Sequence, residues 1–152
     1  MERYFAYGSN MNPRRVRERG LAVVRAEGAR LPGFRLLFDK HSPAHEGMGH
    51  ANLGYAPAEA VEGVLYWLAD AREIVKMDRF EGAPVSYSRE VVEVQTGGGV
   101  VCAWTYFANR AVRRSGLLPP RSYLDHLLAG RAFLSGAYFE MLAAWECAEE
   151  RR

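Results

Sequence analysis

Apolar and polar positions along this chain fall into two regimes. Through residue 108 the apolar residues come in short runs and alternations, with turn residues between them. After residue 115 they recur at helical spacing. Residues 2–7 read as a strand that ends at Gly8. Asn12-Pro13 reads as a helix entry, with Asn as cap and Pro at the first helical position, and Gly20 stops that short helix. "LAVVRAEGARLPGFRLLFDK" (21–40) predicts two strands broken around Pro32-Gly33. "HSPAHEGMGH" (41–50) is a polar loop, and 51–57 and 60–69 predict two further strands.

"DAREIVKMDRFEG" (70–82) predicts a helix. Asp70 and Glu73 have the spacing of a capping box, Ile74, Met77 and Phe80 form the stripe expected to be buried, and Gly82 with Pro84 ends it. Residues 86–96 and 100–108 predict a hairpin across Gly97-Gly98-Gly99. Two helices, 121–134 and 137–150, complete the chain. Strands first, helices last and one helix between strands predict an α+β fold. The sheet is curved and mainly antiparallel, a small barrel with flanking helices, in a single domain over 1–152.

Composition narrows the function classes. A chain of 152 residues, 49% hydrophobic and 25% charged, suits one soluble domain with a core. A net charge of +2 gives no electrostatic case for nucleic acid. Arg14, Arg15, Arg17 and Arg19, and then Arg110, Arg113 and Arg114, read as solvated faces. No segment has the form of a signal peptide, and no apolar run is long enough to span a bilayer. Two cysteines make no disulfide framework, so the expected location is a reducing cytoplasm. Cys102 alternates within an apolar strand and is expected to be a core thiol.

Three places could carry chemistry. The strand-to-helix turn Gly8-Ser9-Asn10 can leave successive backbone N–H groups free in a concave nest beside a helix start, which suits a carboxylate or a developing oxyanion. Glu81 closes its helix, where the dipole disfavours a carboxylate and should push its pKa upward. Such a group can serve proton transfer. Asp78, one turn earlier, is the rival, with a simpler surface role. Tyr87 and Tyr106 could place hydroxyls in a pocket. His41, His45 and His50 do not make a metal site, because Pro43 and Gly47 break the helix that His41 and His45 would need. Ser9 lacks the Gly-x-Ser-x-Gly elbow and a partner His.

Taken together, "YFAYGSNM" (4–11), "MDRFEGAPVSYSREVVEV", "CAWTYFAN" and "PPRSYLDHLLAGRAFLSGAYFEML" resemble the γ-glutamylcyclotransferase-like family over about residues 2–146. The resemblance implies a small β-barrel with flanking helices. It implies that Glu81 is the catalytic glutamate. Tyr7, Gly8, Ser9 and Asn10 would form the substrate-binding loop, with Tyr4, Phe5 and Ala6 leading in, and Tyr106 would reach the substrate. The reaction implied is cyclisation of a γ-glutamyl group to 5-oxoproline, releasing an amino acid or amine, with no cofactor and no metal. The partner expected is a small γ-glutamyl molecule, with no nucleic acid and no membrane; a homodimer is left open. The loop at 41–50 would border the pocket and set the preference for the leaving group. A binding module for a γ-glutamyl or carboxylate ligand, without turnover, is the alternative.

Overall fold

Five strands and four helices make up the fold, seen in a computed structural model that describes residues 2–150. The strands are β1 (Arg3–Ala6), β2 (Val23–His41), β3 (Gly49–Leu68), β4 (Tyr87–Thr96) and β5 (Gly99–Ala108). They close into a barrel in the order β1-β3-β2-β4-β5. All neighbours are antiparallel except β1 and β5, which pair in parallel where Tyr4 meets Trp104. The fold is therefore the expected small, mixed and mainly antiparallel barrel with flanking helices: α1 (Pro13–Glu18), α2 (Glu73–Glu81), α3 (Arg121–Leu128) and α4 (Gly136–Ala143).

The break expected at Pro32-Gly33 is a bulge within one strand. Pro32 pairs with Ala60 and Phe34 with Tyr55, so one residue of β2 faces four unpaired residues of β3. Gly33 takes φ +87°, which the bulge requires. The chain bends there without ending the ladder, and 51–57 and 60–69 are accordingly one strand as well.

Both late helices are shorter than their periodicity predicts. α3 stops where Gly130 packs on the first loop; a Cβ there would lie 3.0 Å from the Met11 carbonyl oxygen. After α4 the chain leaves the helix because Ala148 N–H donates to the Pro119 carbonyl at 2.9 Å and Trp145 packs edge-on against Phe38. Cys102 is exposed, not a core thiol. Alternation in β5 turns Ala103 and Thr105 inward and leaves Cys102 outside.

α2 carries two further corrections. Its N-cap is Arg72, and Glu73 does not reach back in a capping box. The Glu73 carboxylate instead accepts from Ala22 N–H at 2.8 Å and from Lys76 at 3.0 Å, tying the helix to the start of β2. Ile74 and Met77 are buried as expected, but Phe80 is half-exposed under the Arg19 guanidinium. Gly82, at φ +62°, closes the helix in the left-handed conformation, and Ala83 N–H donates back to the Asp78 carbonyl. Two buried anchors and a fixed terminus thus determine where Glu81 points. Truncating Met77 to alanine would cost about 2–5 kcal/mol and loosen that seat.

Candidate active site

A cavity of about 640 Å³ opens between the first loop, α2, the 41–50 segment and α3. The first loop is a single 3-10 turn, Ser9–Met11, between β1 and α1. The first N–H groups of such a turn have no partner within it. Among the described residues, no backbone carbonyl takes the N–H of Gly8, Ser9 or Asn10; the Met11 N–H closes the turn on the Gly8 carbonyl. The Ser9 amide lies beside the Tyr123 hydroxyl. Gly8 is needed because a Cβ would stand 3.0 Å from that hydroxyl and 3.1 Å from Ala51 Cβ.

Asn10 joins the loop to Glu81. It is buried, and its carbonyl accepts from the Tyr66 hydroxyl at 2.6 Å. Its side-chain Oδ1 accepts from Arg19 at 3.0 Å. The two Nδ2 hydrogens face three acceptors: the Tyr4 hydroxyl at 2.9 Å, Met77 Sδ at 3.2 Å and Glu81 Oε1 at 3.3 Å. The amide is therefore fixed in orientation, with its donor side toward the carboxylate.

Glu81 is only partly exposed, and protein encloses its carboxylate. Burial pushes its pKa up to about 7, against the opposing pull of Arg19, Lys40 and Arg15. Desolvation is the main cause of the rise. Asp78, the rival carboxylate, does not line the cavity. It accepts from the Tyr106 hydroxyl at 2.7 Å and pairs with Arg89 at 3.4 Å, so its role is to hold β5 and α2 together.

The remaining sequence candidates divide by position. Tyr4, Tyr7, Gly8, Ser9, Asn10, Tyr87 and Tyr106 line the cavity, while Phe5 and Ala6 do not. Those two stay buried in the barrel wall, where the Phe5 carbonyl accepts from Thr105 and Ala6 pairs with Val64. The Tyr7 hydroxyl donates to the Tyr106 carbonyl, and Tyr87 donates to the Ala51 carbonyl at 2.8 Å. These tyrosines form walls whose hydroxyls are already engaged. Ser42, Pro43, His45, Met48 and His50 of the loop region border the cavity.

Sequence reasoning missed several polar groups of the cavity, Tyr123, Arg15, Arg19 and Lys40 among them. Tyr123 of α3 accepts from Ala51 N–H at 3.0 Å and stacks on His50 with ring centroids 4.5 Å apart. Arg15 and Arg19 line the cavity, although the whole cluster reads in sequence as a solvated face. Arg14 fits that reading, with its side chain 77% exposed. Spacing alone could have separated them, since Arg15 of α1 and Arg19, the residue capping its C-terminus, lie four apart, with buried Val16 between them. Lys40 left no such signal. Among the described residues no three His, Cys, Asp or Glu side chains converge as a metal site would need, and no helix is long and apolar enough to cross a membrane.

Comparison with known proteins places this geometry. A family model described as gamma-glutamyl cyclotransferase, AIG2-like, matches residues 4–125. A solved structure named gamma-glutamyl cyclotransferase superposes with a TM-score of 0.84 at 26% identity, covering 98% of this chain and 90% of that one. The human protein loc79017 gives 0.85 at 27% identity, covering 99% and 91%. YkqA from Bacillus subtilis gives 0.82 at 22% identity, covering 97% of this chain and 56% of that chain, a likeness of fold alone. No curated protein sequence matches the chain.

Proposed function

Because this chain belongs to the gamma-glutamyl cyclotransferase, AIG2-like family, we propose that it cyclises a γ-glutamyl amino acid or amine to 5-oxoproline, with Glu81 as the general acid and base. One observation carries the reading: a carboxylate with its pKa raised to about 7 lines the same cavity as the Gly8–Asn10 loop, whose amides donate to no backbone carbonyl among the described residues. Such a group is about half deprotonated at neutral pH and can both take and return a proton.

The chemistry follows from that pair. Glu81 removes a proton from the α-ammonium of the γ-glutamyl group. The freed amine attacks the γ-carbonyl carbon, forming the new C–N bond of a five-membered ring, and the carbonyl electrons move to oxygen. When the oxyanion collapses, the original amide C–N bond breaks and protonated Glu81 gives its proton to the leaving nitrogen; the ring nitrogen, which carries two hydrogens after the attack, loses one through the regenerated carboxylate to the departing amine, which leaves as an ammonium. Products are 5-oxoproline and that ammonium. Nucleophile and electrophile share one molecule, so holding the chain folded provides much of the acceleration. The Gly8–Asn10 amides serve either the α-carboxylate or the oxyanion; a well-placed oxyanion donor contributes about 3–4 kcal/mol.

The test is release of 5-oxoproline from a panel of γ-glutamyl amino acids and γ-glutamyl amines. Release from at least one class is expected. No release from any donor by correctly folded protein would reject the reading.

A further inference from the structure

A second cavity, of about 700 Å³, opens between β2, the bulge of β3, residues 113–117 and α4. Among the described residues, none lines both this cavity and that of Glu81. Phe38 stands between them. It packs edge-on against Tyr123, which lines the Glu81 cavity, with ring centroids 6.3 Å apart. It also packs edge-on against Trp145, which lines the second cavity, at 4.8 Å. The floor of the second cavity is apolar, made by Leu37, Phe38, Leu117, Met141 and Trp145. Met141 is 38% exposed, whereas Met11, Met48 and Met77 are buried. The volume falls in the range of small-molecule sites, about 300–1,000 Å³.

Uncompensated charge enters at one end. Asp39 has both carboxylate oxygens engaged: Oδ1 accepts from Asn52 Nδ2 and Oδ2 from Arg113 Nε, each at 2.9 Å. Arg113 is thereby neutralised. Arg114, next in the chain, has no carboxylate within salt-bridge distance among the described residues. Peptide carbonyls hold it instead. Its Nη1 donates to Ala111 at 3.1 Å and to Arg113 at 2.9 Å, and its backbone N–H donates to the Asp39 carbonyl at 2.8 Å. The guanidinium is thus fixed while its charge stays unpaired. Its Nε–Nη2 edge has no partner among the described residues. Such an edge offers two parallel N–H groups that match a carboxylate. The remaining charges, Arg35 and Glu59, are opposite in sign. Ala60 pairs with Pro32, so Glu59 belongs to the bulge end of the cavity and Arg114 to the Asp39 end.

We infer that this cavity binds a small apolar monocarboxylate, a molecule with one carboxylate on a hydrocarbon body. The carboxylate meets the Nε–Nη2 edge of Arg114, and the body lies on Phe38, Met141 and Trp145. Burial of the body supplies affinity, and the fixed cation selects the charge. The site is independent of the Glu81 chemistry and takes a ligand of a different class.

Octanoate and octanamide are the probes, since they share one chain and differ only at the charged end. Binding to the wild type is followed by calorimetry and by NMR of methyl-labelled methionine. The Met141 methyl reports this cavity and the Met48 methyl the Glu81 cavity. Octanoate should shift the Met141 methyl and leave Met48 in place. It should bind about fivefold tighter than octanamide, the ratio of an exposed ion pair. Arg114→Gln should bring that ratio to about one, and Met141→Glu should abolish binding of both probes. Both side chains are exposed, so neither variant should melt below the wild type by more than a few degrees. A shift of Met48 without Met141 would put octanoate in the Glu81 cavity and overturn the assignment. So would an absence of binding, equal affinity for acid and amide, or an acid preference that survives Arg114→Gln.

Discussion

Asn10 Nδ2 lies 3.3 Å from Glu81 Oε1, while the other end of the same amide accepts from Arg19 at 3.0 Å. The amide cannot flip without placing its oxygen against the carboxylate and its NH2 against a guanidinium. Arg19 thus fixes which face Asn10 presents to Glu81, and Glu81 always meets a donor.

Asn10→Ala removes that donor and the anchor for Tyr4. A hydrogen bond to a charged group contributes about 1.5–3 kcal/mol, so losing it disfavours the Glu81 carboxylate. The rise in kcat/KM with pH should move upward by about one unit or more. A purely structural role would lower the plateau and leave the midpoint in place, and the pH–rate profile separates the two.

The wild-type profile has its own sign. A base must be unprotonated, so kcat/KM should increase as pH rises through about 7, the value to which burial pushes Glu81. Stability should run the other way. The unfolded chain releases this proton near 4.5 and the folded protein near 7, so the folded state loses stability as pH rises between those values. The displacement corresponds to about 3 kcal/mol. Glu81→Gln should therefore melt higher than wild type at pH about 8, with the difference vanishing below pH about 4, where both forms are neutral. Thermal melts at the two pH values check this without any substrate.

Asp78 and Glu81 sit one turn apart and look alike in sequence. Asp78 does not line the cavity and is tied to Tyr106 and Arg89. Asp78→Asn should cost about 1–3 kcal/mol of stability through the weakened network, while kcat stays within a few-fold of wild type. Denaturant melts beside steady-state kinetics measure both quantities.

Gly8→Ala puts a methyl against the Tyr123 hydroxyl and Ala51. The loop or these neighbours must give by a few tenths of an ångström, and a shift of the loop would misplace the Ser9 and Asn10 amides. The expected result is at least a tenfold loss of kcat with a stability cost of about 1–3 kcal/mol. Adding Tyr123→Phe relieves one contact and should recover part of the stability, read by melting both variants.

Much of this arrangement was legible in the chain because it is local. A strand, a Gly-Ser-Asn turn and an Asn-Pro helix entry are written in consecutive residues 4–13, and Glu81-Gly82 marks a helix end by glycine's access to positive φ. The bulge at Pro32-Gly33 was misread because a turn and a bulge use the same residues; only the partner strand distinguishes them. Phe80 was misplaced because helical spacing does not say where the buried stripe ends. Lys40, His50 and Tyr123 come from three elements joined only when β2 pairs with β3 and α3 packs on the first loop. No local pattern could show that they share a wall.

The most direct test of the account is 5-oxoproline formation from L-γ-glutamyl-L-alanine by wild type and Glu81→Gln side by side, with both shown folded by circular dichroism. The account predicts turnover by the wild type and a loss of at least a hundredfold in kcat for the variant, in the range of a missing general acid–base group. Turnover by Glu81→Gln within a few-fold of wild type would contradict it, because the proton would then be moving through some other group.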